Sequence, residues 1–104
     1  MIVRKWKDYT PEEMARYLRR QNAYLVVGVV RSVIANPGFR GKVNLGLNAG
    51  ARGRNTYLTR PVESASGKGL IDASFEKGAY VYHPNDFGKK VIEIYDEIRG
   101  ERRI

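Results

Sequence analysis

The sequence predicts an α+β fold in which a long N-terminal helix and a C-terminal helix pack on a small, mainly antiparallel sheet. Three stretches support this fold class. Residues 10–36 carry apolar side chains at steps of three and four, the spacing of a helix with one buried face. Residues 70–75 and 79–83 are two short strand-like runs across a turn, and helical spacing returns over 86–100.

The first helix is predicted to begin just after Thr10. Thr10 can cap the helix, Pro11 suits its first position, and Glu13 completes a capping box. The residues that follow form one helical stripe: Met14, Leu18, Gln21, Leu25, Gly28, Val29 and Val33. We therefore favour one continuous helix. It should end at Asn36, because the proline that follows disfavours helical geometry there.

A strand is the competing interpretation for residues 24–30, YLVVGVV. These residues are rich in β-branched side chains, which favour strands, and Gly28 costs a helix about 1 kcal/mol. The sequence alone leaves both interpretations open.

The middle of the chain, residues 37–55, is rich in glycine and asparagine. Val43, Leu45 and Leu47 alternate with polar or small residues and predict a short strand, followed by a glycine-rich basic loop at about 48–55. Residues 55–63 are a further strand candidate, which Pro61 would place at a sheet edge. A turn is expected at 64–69, and the strands together predict a meander of about three or four strands.

The C-terminal helix has the clearest pattern. Residues 84–86, Pro-Asn-Asp, supply a turn and a cap, and the apolar residues that follow have helical spacing down to Gly100: Phe87, Val91, Ile94, Tyr95 and Ile98. Acidic residues cover the outer face: Glu93, Asp96 and Glu97. We expect a single domain over residues 1–104 that ends in a short basic tail.

Positive charge is the strongest global property of the chain. Its formal net charge is +8, and residues 38–70 hold six lysines and arginines against one acidic residue. Such a surplus attracts nucleic acid, an acidic protein surface or an anionic membrane, although some basic proteins have no such partner. The residues we expect to contact phosphates or protein partners are Arg40, Lys42, Arg52, Arg54 and Arg60.

Aromatic residues next to these charges are candidates for stacking on bases. Trp6 lies between Lys5 and Lys7, and Tyr57 follows the basic loop. For Trp6 we favour the alternative that its ring folds back onto the first helix, as a hydrophobic residue ahead of a cap often does. The basic loop also has an alternative interpretation as a surface hairpin whose arginines bind nothing.

The residue types needed for catalysis are scarce. The chain has no cysteine and one histidine, which excludes disulfides and thiolate metal sites. Ser74 and Asp72 precede His83 without a nucleophile elbow, and the glycines at 46–53 and 67–69 lack the spacing of nucleotide-binding loops. We therefore expect no enzyme, cofactor, metal or small-molecule substrate. No apolar run reaches the roughly 18 residues of a membrane span, so the default location is the cytoplasm.

Taken in order, the elements resemble a family of bacteriophage proteins. The chain combines the long helix, the phrase GKGLIDASF at 67–75, the tyrosine-rich AYVYHP at 79–84 and a closing helix. This order is similar to that of the small neck and tail-completion proteins, which join head to tail in tailed bacteriophages. The resemblance covers most of residues 11–99, apart from 38–55. It implies a non-enzymatic ring subunit of the virion whose loops and termini hold neighbouring subunits and whose positive charge faces the DNA.

Two function classes follow from the sequence. The leading hypothesis is a structural component of a large assembly, a homo-oligomer that contacts other subunits and the DNA. The alternative is a basic module that binds the DNA or RNA backbone, such as a ribosome-associated or DNA-coating protein.

Overall fold

Helices form most of the chain and pack on a small sheet. The computed structural model describes residues 6–101, with side chains described for residues 6–98. After a single 3-10 turn at Trp6–Asp8 come α1 (Pro11–Arg20), α2 (Tyr24–Ala35), β1 (Phe39–Arg40), α3 (Lys42–Asn48), α4 (Asn55–Gly67), β2 (Ile71–Glu76), β3 (Ala79–Pro84) and α5 (Asp86–Glu101). The predicted α+β class is confirmed, although the helices are of modest length.

The predicted continuous helix over residues 10–36 is wrong, because the chain divides it into α1 and α2. The predicted cap is present: the Thr10 side chain accepts from the Glu13 backbone, and Glu13 accepts from the Thr10 backbone, each at 3.1 Å. The first helix ends at Arg20, and two residues later Asn22 has a left-handed φ of 53°. The Ala23 N–H donates to the Leu18 carbonyl at 3.0 Å, which completes a helix-terminating turn.

The alternative strand at residues 24–30 is also wrong, since these residues begin α2. The valines face the core on several sides of the helix: Val26, Val27, Val29, Val30 and Val33 are all buried. A helix surrounded by protein is apolar around most of its circumference. The β-branched composition that suggested a strand therefore reflects burial of α2.

The two strands predicted at 43–47 and 55–63 are wrong as well, since these residues form α3 and α4. Pro61 lies inside α4, where its ring is buried. Leu58, Val62 and Ala65 face the core from the same helix, so burial along α4 outweighs the local cost of the proline. The turn predicted at 64–69 begins later, because α4 continues to Gly67.

The predicted hairpin is present, and it forms most of the sheet. Strands β2 and β3 pair without interruption from Ile71↔Pro84 to Glu76↔Ala79. The two turn residues, Lys77 and Gly78, have φ values of 49° and 81°, the geometry of a tight hairpin turn. The third strand, β1, is only two residues long and pairs with β3, which gives the order β1-β3-β2. The sheet is therefore not the meander that was predicted.

The C-terminal helix α5 begins and faces the core as predicted. The Asn85 side chain caps it by accepting from the Gly88 backbone at 2.7 Å. Val91 and Tyr95 are buried, and the helix continues one residue past Gly100. Arg31 of α2 donates two hydrogen bonds to Asp96 on the outer face of α5, one of them at 3.1 Å. This pairing raises the pKa of Arg31. The basic tail was predicted at 101–104. Beyond Glu101 it lies outside the described residues.

The backbones of α3 and α4 touch at Gly46. A Cβ atom added to Gly46 would lie 1.8 Å from the Leu58 carbonyl oxygen, so any side chain there would force the two helices apart. At Gly67, by contrast, an added Cβ atom meets nothing within 4 Å. These two helical glycines therefore form a matched pair for a stability experiment.

We predict that Gly46→Ala lowers the free energy of unfolding by about 3 kcal/mol, because overpacking displaces α4. Gly67→Ala is the control and should raise it by about 0.5 kcal/mol through reduced chain entropy. Urea denaturation monitored by circular dichroism measures both values. Equal values for the two variants would contradict a tight contact at Gly46.

Candidate functional site

Large exposed hydrophobic side chains mark two places on the surface. Those among the described residues are Tyr24, Leu47, Tyr57, Phe75 and Tyr80. Four of these five form two pairs. Tyr24 and Tyr57 border a cleft beside α4, and Phe75 and Tyr80 lie side by side on the hairpin.

The cleft, hereafter the arginine cleft, has a volume of about 430 Å³. It lies between the α1–α2 turn, the loop at 49–54 and α4. Its lining residues are Asn22, Ala23, Tyr24, Leu25, Val26, Ala51, Arg52, Tyr57, Arg60, Pro61 and Ser64. The lining is mainly apolar, and no described residue in it carries a carboxylate. The cleft is therefore suited to a ligand with a flat or apolar part and a negative charge.

The loop at 49–54 holds its arginines in place through backbone geometry. Gly50 and Gly53 have φ values of 105° and 109°, which residues with side chains rarely adopt. Between them Ala51 is buried, and its N–H donates to the Gly46 carbonyl at 3.0 Å. The Arg52 guanidinium donates to the Ala51 carbonyl at 2.9 Å. The loop is thus anchored by Ala51, an apolar anchor that the sequence analysis missed.

Helix α4 contributes the other polar groups of the arginine cleft. The Arg60 guanidinium carbon lies 5.7 Å from the centre of the Tyr57 ring, within the range of a cation–π contact. Tyr57 is still 58% exposed, so much of this residue remains open to a ligand. Arg54 is exposed at the N-cap of α4, where the helix end adds positive potential.

The structure separates Arg40 and Lys42 from this cleft. The Arg40 guanidinium donates to the Lys77 carbonyl at the hairpin turn, at 2.8 Å. The Lys42 ammonium lies 3.3 Å from a Glu63 carboxylate oxygen and 4.7 Å from the centre of the Tyr80 ring. Both cations therefore contact groups of their own chain. Of the five basic residues chosen from the sequence, only Arg52 and Arg60 line the arginine cleft.

Trp6 also lies away from the cleft. Its ring centre is 5.1 Å from that of Tyr9 and 4.9 Å from that of Tyr17, so it packs on α1, the interpretation favoured for it above. The Lys68 ammonium lies 4.5 Å from the Trp6 ring centre, and burial lowers the pKa of Lys68. This half-buried ring is held by neighbours on several sides.

The second exposed pair, hereafter the hairpin surface, consists of Phe75 and Tyr80. They oppose each other across the two strands, with ring centres 5.1 Å apart at an angle of 75°. Phe75 is 65% exposed, whereas Tyr82, two residues further along β3, is buried. The Phe75–Tyr80 end of the hairpin therefore extends beyond the elements that cover Tyr82.

The residues considered for catalysis have other partners. The Ser74 hydroxyl donates to Glu76 at 2.7 Å, and Asp72 accepts from the Asn85 amide at 3.1 Å. His83 is exposed opposite Asp72 in the sheet register.

Within residues 6–101 there is no group of three His, Cys, Asp or Glu side chains that could hold a metal ion. None of the helices in that range is long and apolar enough to cross a membrane.

Sequence reasoning missed three of the four residues that form the exposed pairs. Tyr24 belongs to the run at 24–30, which the sequence left open between helix and strand, and it was not chosen as a candidate. Phe75 and Tyr80 were assigned to strands, but their exposure depends on how far the hairpin extends beyond the helices.

Comparison with family models, curated proteins and solved structures gives no match to this chain.

Tyr82 makes the stability of the fold depend on pH in the alkaline range. Burial, followed by the negative charges of Tyr80 and Glu63, raises the pKa of Tyr82 from 10.0 to about 12. Between these pH values the unfolded chain loses the phenolic proton and the folded chain keeps it. The protonated Tyr82 therefore contributes stability that is fully present below pH 10 and is lost as the pH rises towards 12.

We predict that the free energy of unfolding falls by about 2 kcal/mol more in the wild type than in Tyr82→Phe between pH 10 and pH 12. Urea denaturation at several pH values measures this difference. Tyr57→Phe, at the exposed tyrosine of α4, is the control and should keep the wild-type dependence. The same pH dependence in the Tyr82 variant and the wild type would contradict this origin.

Proposed function

We propose that this protein is a non-enzymatic structural subunit of a larger assembly. The observation that supports the proposal is the grouping of exposed aromatic residues into two separate surfaces on one small core. Single exposed hydrophobic residues are ordinary on protein surfaces, whereas grouped ones bordered by polar residues mark interfaces. The resemblance to phage neck and tail-completion proteins adds a specific form of this function, a subunit of a ring in the virion.

The two surfaces lie on different sides of α4. Residues 57, 60, 61 and 64 line the arginine cleft, whereas residues 62, 63, 66 and 67 line a smaller pocket that reaches Tyr80. A subunit with two interaction surfaces that face different directions can hold two neighbours at once. In such an assembly the arginine cleft would receive an acidic segment of a neighbouring subunit or the DNA backbone.

We predict that the chain forms a defined oligomer without any nucleic acid and keeps it at high salt, because burial of aromatic surface is only weakly salt-dependent. Light scattering at low and high salt, with and without duplex DNA, measures the mass. A monomer that gains mass only with DNA, and loses it as salt rises, would contradict the structural function. A monomer whose mass does not change when DNA is added would contradict self-assembly. A different protein partner would then have to be sought.

The arginine cleft also supports a second candidate function, a module that binds nucleic acid. Tyr24 and Tyr57 offer exposed rings for bases, and Arg52 and Arg60 lie beside them for phosphates. Arg54 adds a cation at the adjacent end of α4. This combination of stacking surface and cations is the one that single strands use, and it fits a ribosome-associated or DNA-coating protein in the cytoplasm.

For this second function we predict that Arg52→Ala together with Arg54→Ala flattens the salt dependence of nucleic-acid affinity. Loss of two phosphate contacts should reduce the slope of log affinity against log salt by about 1.4 for a single strand and about 1.8 for a duplex. Fluorescence anisotropy with labelled oligonucleotides measures the slope. Lys89→Ala with Lys90→Ala, on exposed positions of α5, removes the same charge and should change the slope less. Equal changes in the two variants would indicate attraction by net charge alone.

A further inference from the structure

Exposed aromatic rings border the arginine cleft from two different helices. Tyr24 is the first residue of α2, Tyr57 lies in the first turn of α4, and both are exposed. Pro61, whose ring is buried in α4, also lines the cleft. Nucleobases have flat π faces that stack on aromatic side chains whatever the base sequence. The cleft therefore offers a stacking surface to a flat ring that enters it.

The two arginines of the cleft are held in place before any ligand arrives. Arg60 lies against the Tyr57 ring, and Arg52 donates one hydrogen bond to the Ala51 carbonyl. A guanidinium has five N–H donors, so Arg52 keeps donors for a partner. Guanidinium groups bind phosphate oxygens through paired hydrogen bonds. Because these side chains are already ordered, a ligand that binds them loses less entropy.

The charge around the cleft has one sign. No described lining residue is acidic, and residues 38–70 contain a single acidic side chain, Glu63. Glu63 lines the smaller pocket on the other side of α4, where its carboxylate lies 3.3 Å from the Lys42 ammonium. The positive potential of the arginines is therefore left for an anion.

Recognition in the cleft depends on side chains. None of its described lining residues belongs to a strand, so an extended peptide cannot add to a sheet edge there. Asn22 brings an amide, and the Ser64 hydroxyl accepts from the Lys68 ammonium at 2.7 Å, so its O–H can donate elsewhere. An unpaired base presents polar atoms along its edge to such groups. The volume of about 430 Å³ lies at the lower end of the range of small-ligand sites.

We propose that the arginine cleft holds one unpaired nucleotide of a single-stranded nucleic acid. Its base lies against Tyr24 and Tyr57, and its phosphates lie at Arg52 and Arg60. This inference rests on the second candidate function, because it names the form of nucleic acid that the cleft takes. In a duplex the bases are paired and stacked, so a duplex reaches the arginines but not the tyrosines without the cost of extruding a base.

The experiment compares single strand with duplex on the full chain. Fluorescence anisotropy measures the affinity for a labelled oligothymidine and for a labelled duplex of the same length. The wild type should bind the single strand more tightly. Tyr57→Ala should weaken single-strand binding at least about fivefold, because one stacking contact is lost, and leave duplex binding unchanged. Tyr24→Ala should act in the same direction, and circular dichroism checks the fold of each variant.

Two further variants separate stacking from other effects. Tyr57→Phe keeps the ring and should restore the single-strand affinity that Tyr57→Ala loses. Phe75→Ala removes an equally exposed ring from the hairpin surface and is the matched control, with the wild-type affinity expected.

The outcomes that overturn the inference differ in what else they affect. Equal effects of Tyr57→Ala on single strand and duplex, or no effect on either, overturn it and leave the second candidate function to its salt dependence. Absence of binding to both forms overturns the inference and that function together. A peptide of Glu and Phe that displaces the oligonucleotide at a lower concentration than unlabelled oligothymidine also overturns it, and assigns the cleft to a protein partner.

Discussion

The close contact between α3 and α4 at Gly46 is the constraint on which the arrangement of both surfaces depends. Because the Gly46 position has no side chain, the Leu58 carbonyl can approach it directly, and α4 lies against α3 at backbone distance. Gly28 has a related role, since a Cβ atom there would lie 2.9 Å from the Ala49 carbonyl at the end of α3. Together these two glycines place α2, α3 and α4 in one tight layer. One side of α4 then borders the arginine cleft, and the other faces the sheet.

Local signals in the sequence were sufficient where one short segment decides its own structure. The cap at Thr10, the turn at 77–78 and the cap at Asn85 are all made by neighbouring residues, and each was predicted. The strands predicted at 43–47 and 55–63, and the alternative strand at 24–30, were wrong for a common reason. Their valines, leucines and the proline are compatible with a strand, but they form helices because each helix buries one or more sides against the others. That burial depends on contacts between segments far apart in the sequence. The helix or strand propensity of a single segment carries no information about such contacts.

The same distinction explains the candidate site. Tyr57 and Arg60 share one face of α4, and Arg52 reaches that face only because the loop at 49–54 is folded back by its glycines and Ala51. Composition predicted that the basic residues of this region bind partners, but it had no means to sort them. Arg40 and Lys42 instead contact a carbonyl and a carboxylate of their own chain. A net charge of +8 is therefore a poor count of the cations that remain available to a partner.

The placement of the two surfaces limits how the proposed subunit can assemble. A contact that uses the same surface from both copies is complete with two, so it cannot by itself build a ring. A larger closed assembly needs a second, different contact on each subunit. The arginine cleft and the hairpin surface meet this requirement, because they lie on different sides of α4 and carry unlike chemistry. The two arginines of the cleft would then decide whether the proposed subunit joins acidic protein segments or nucleic acid.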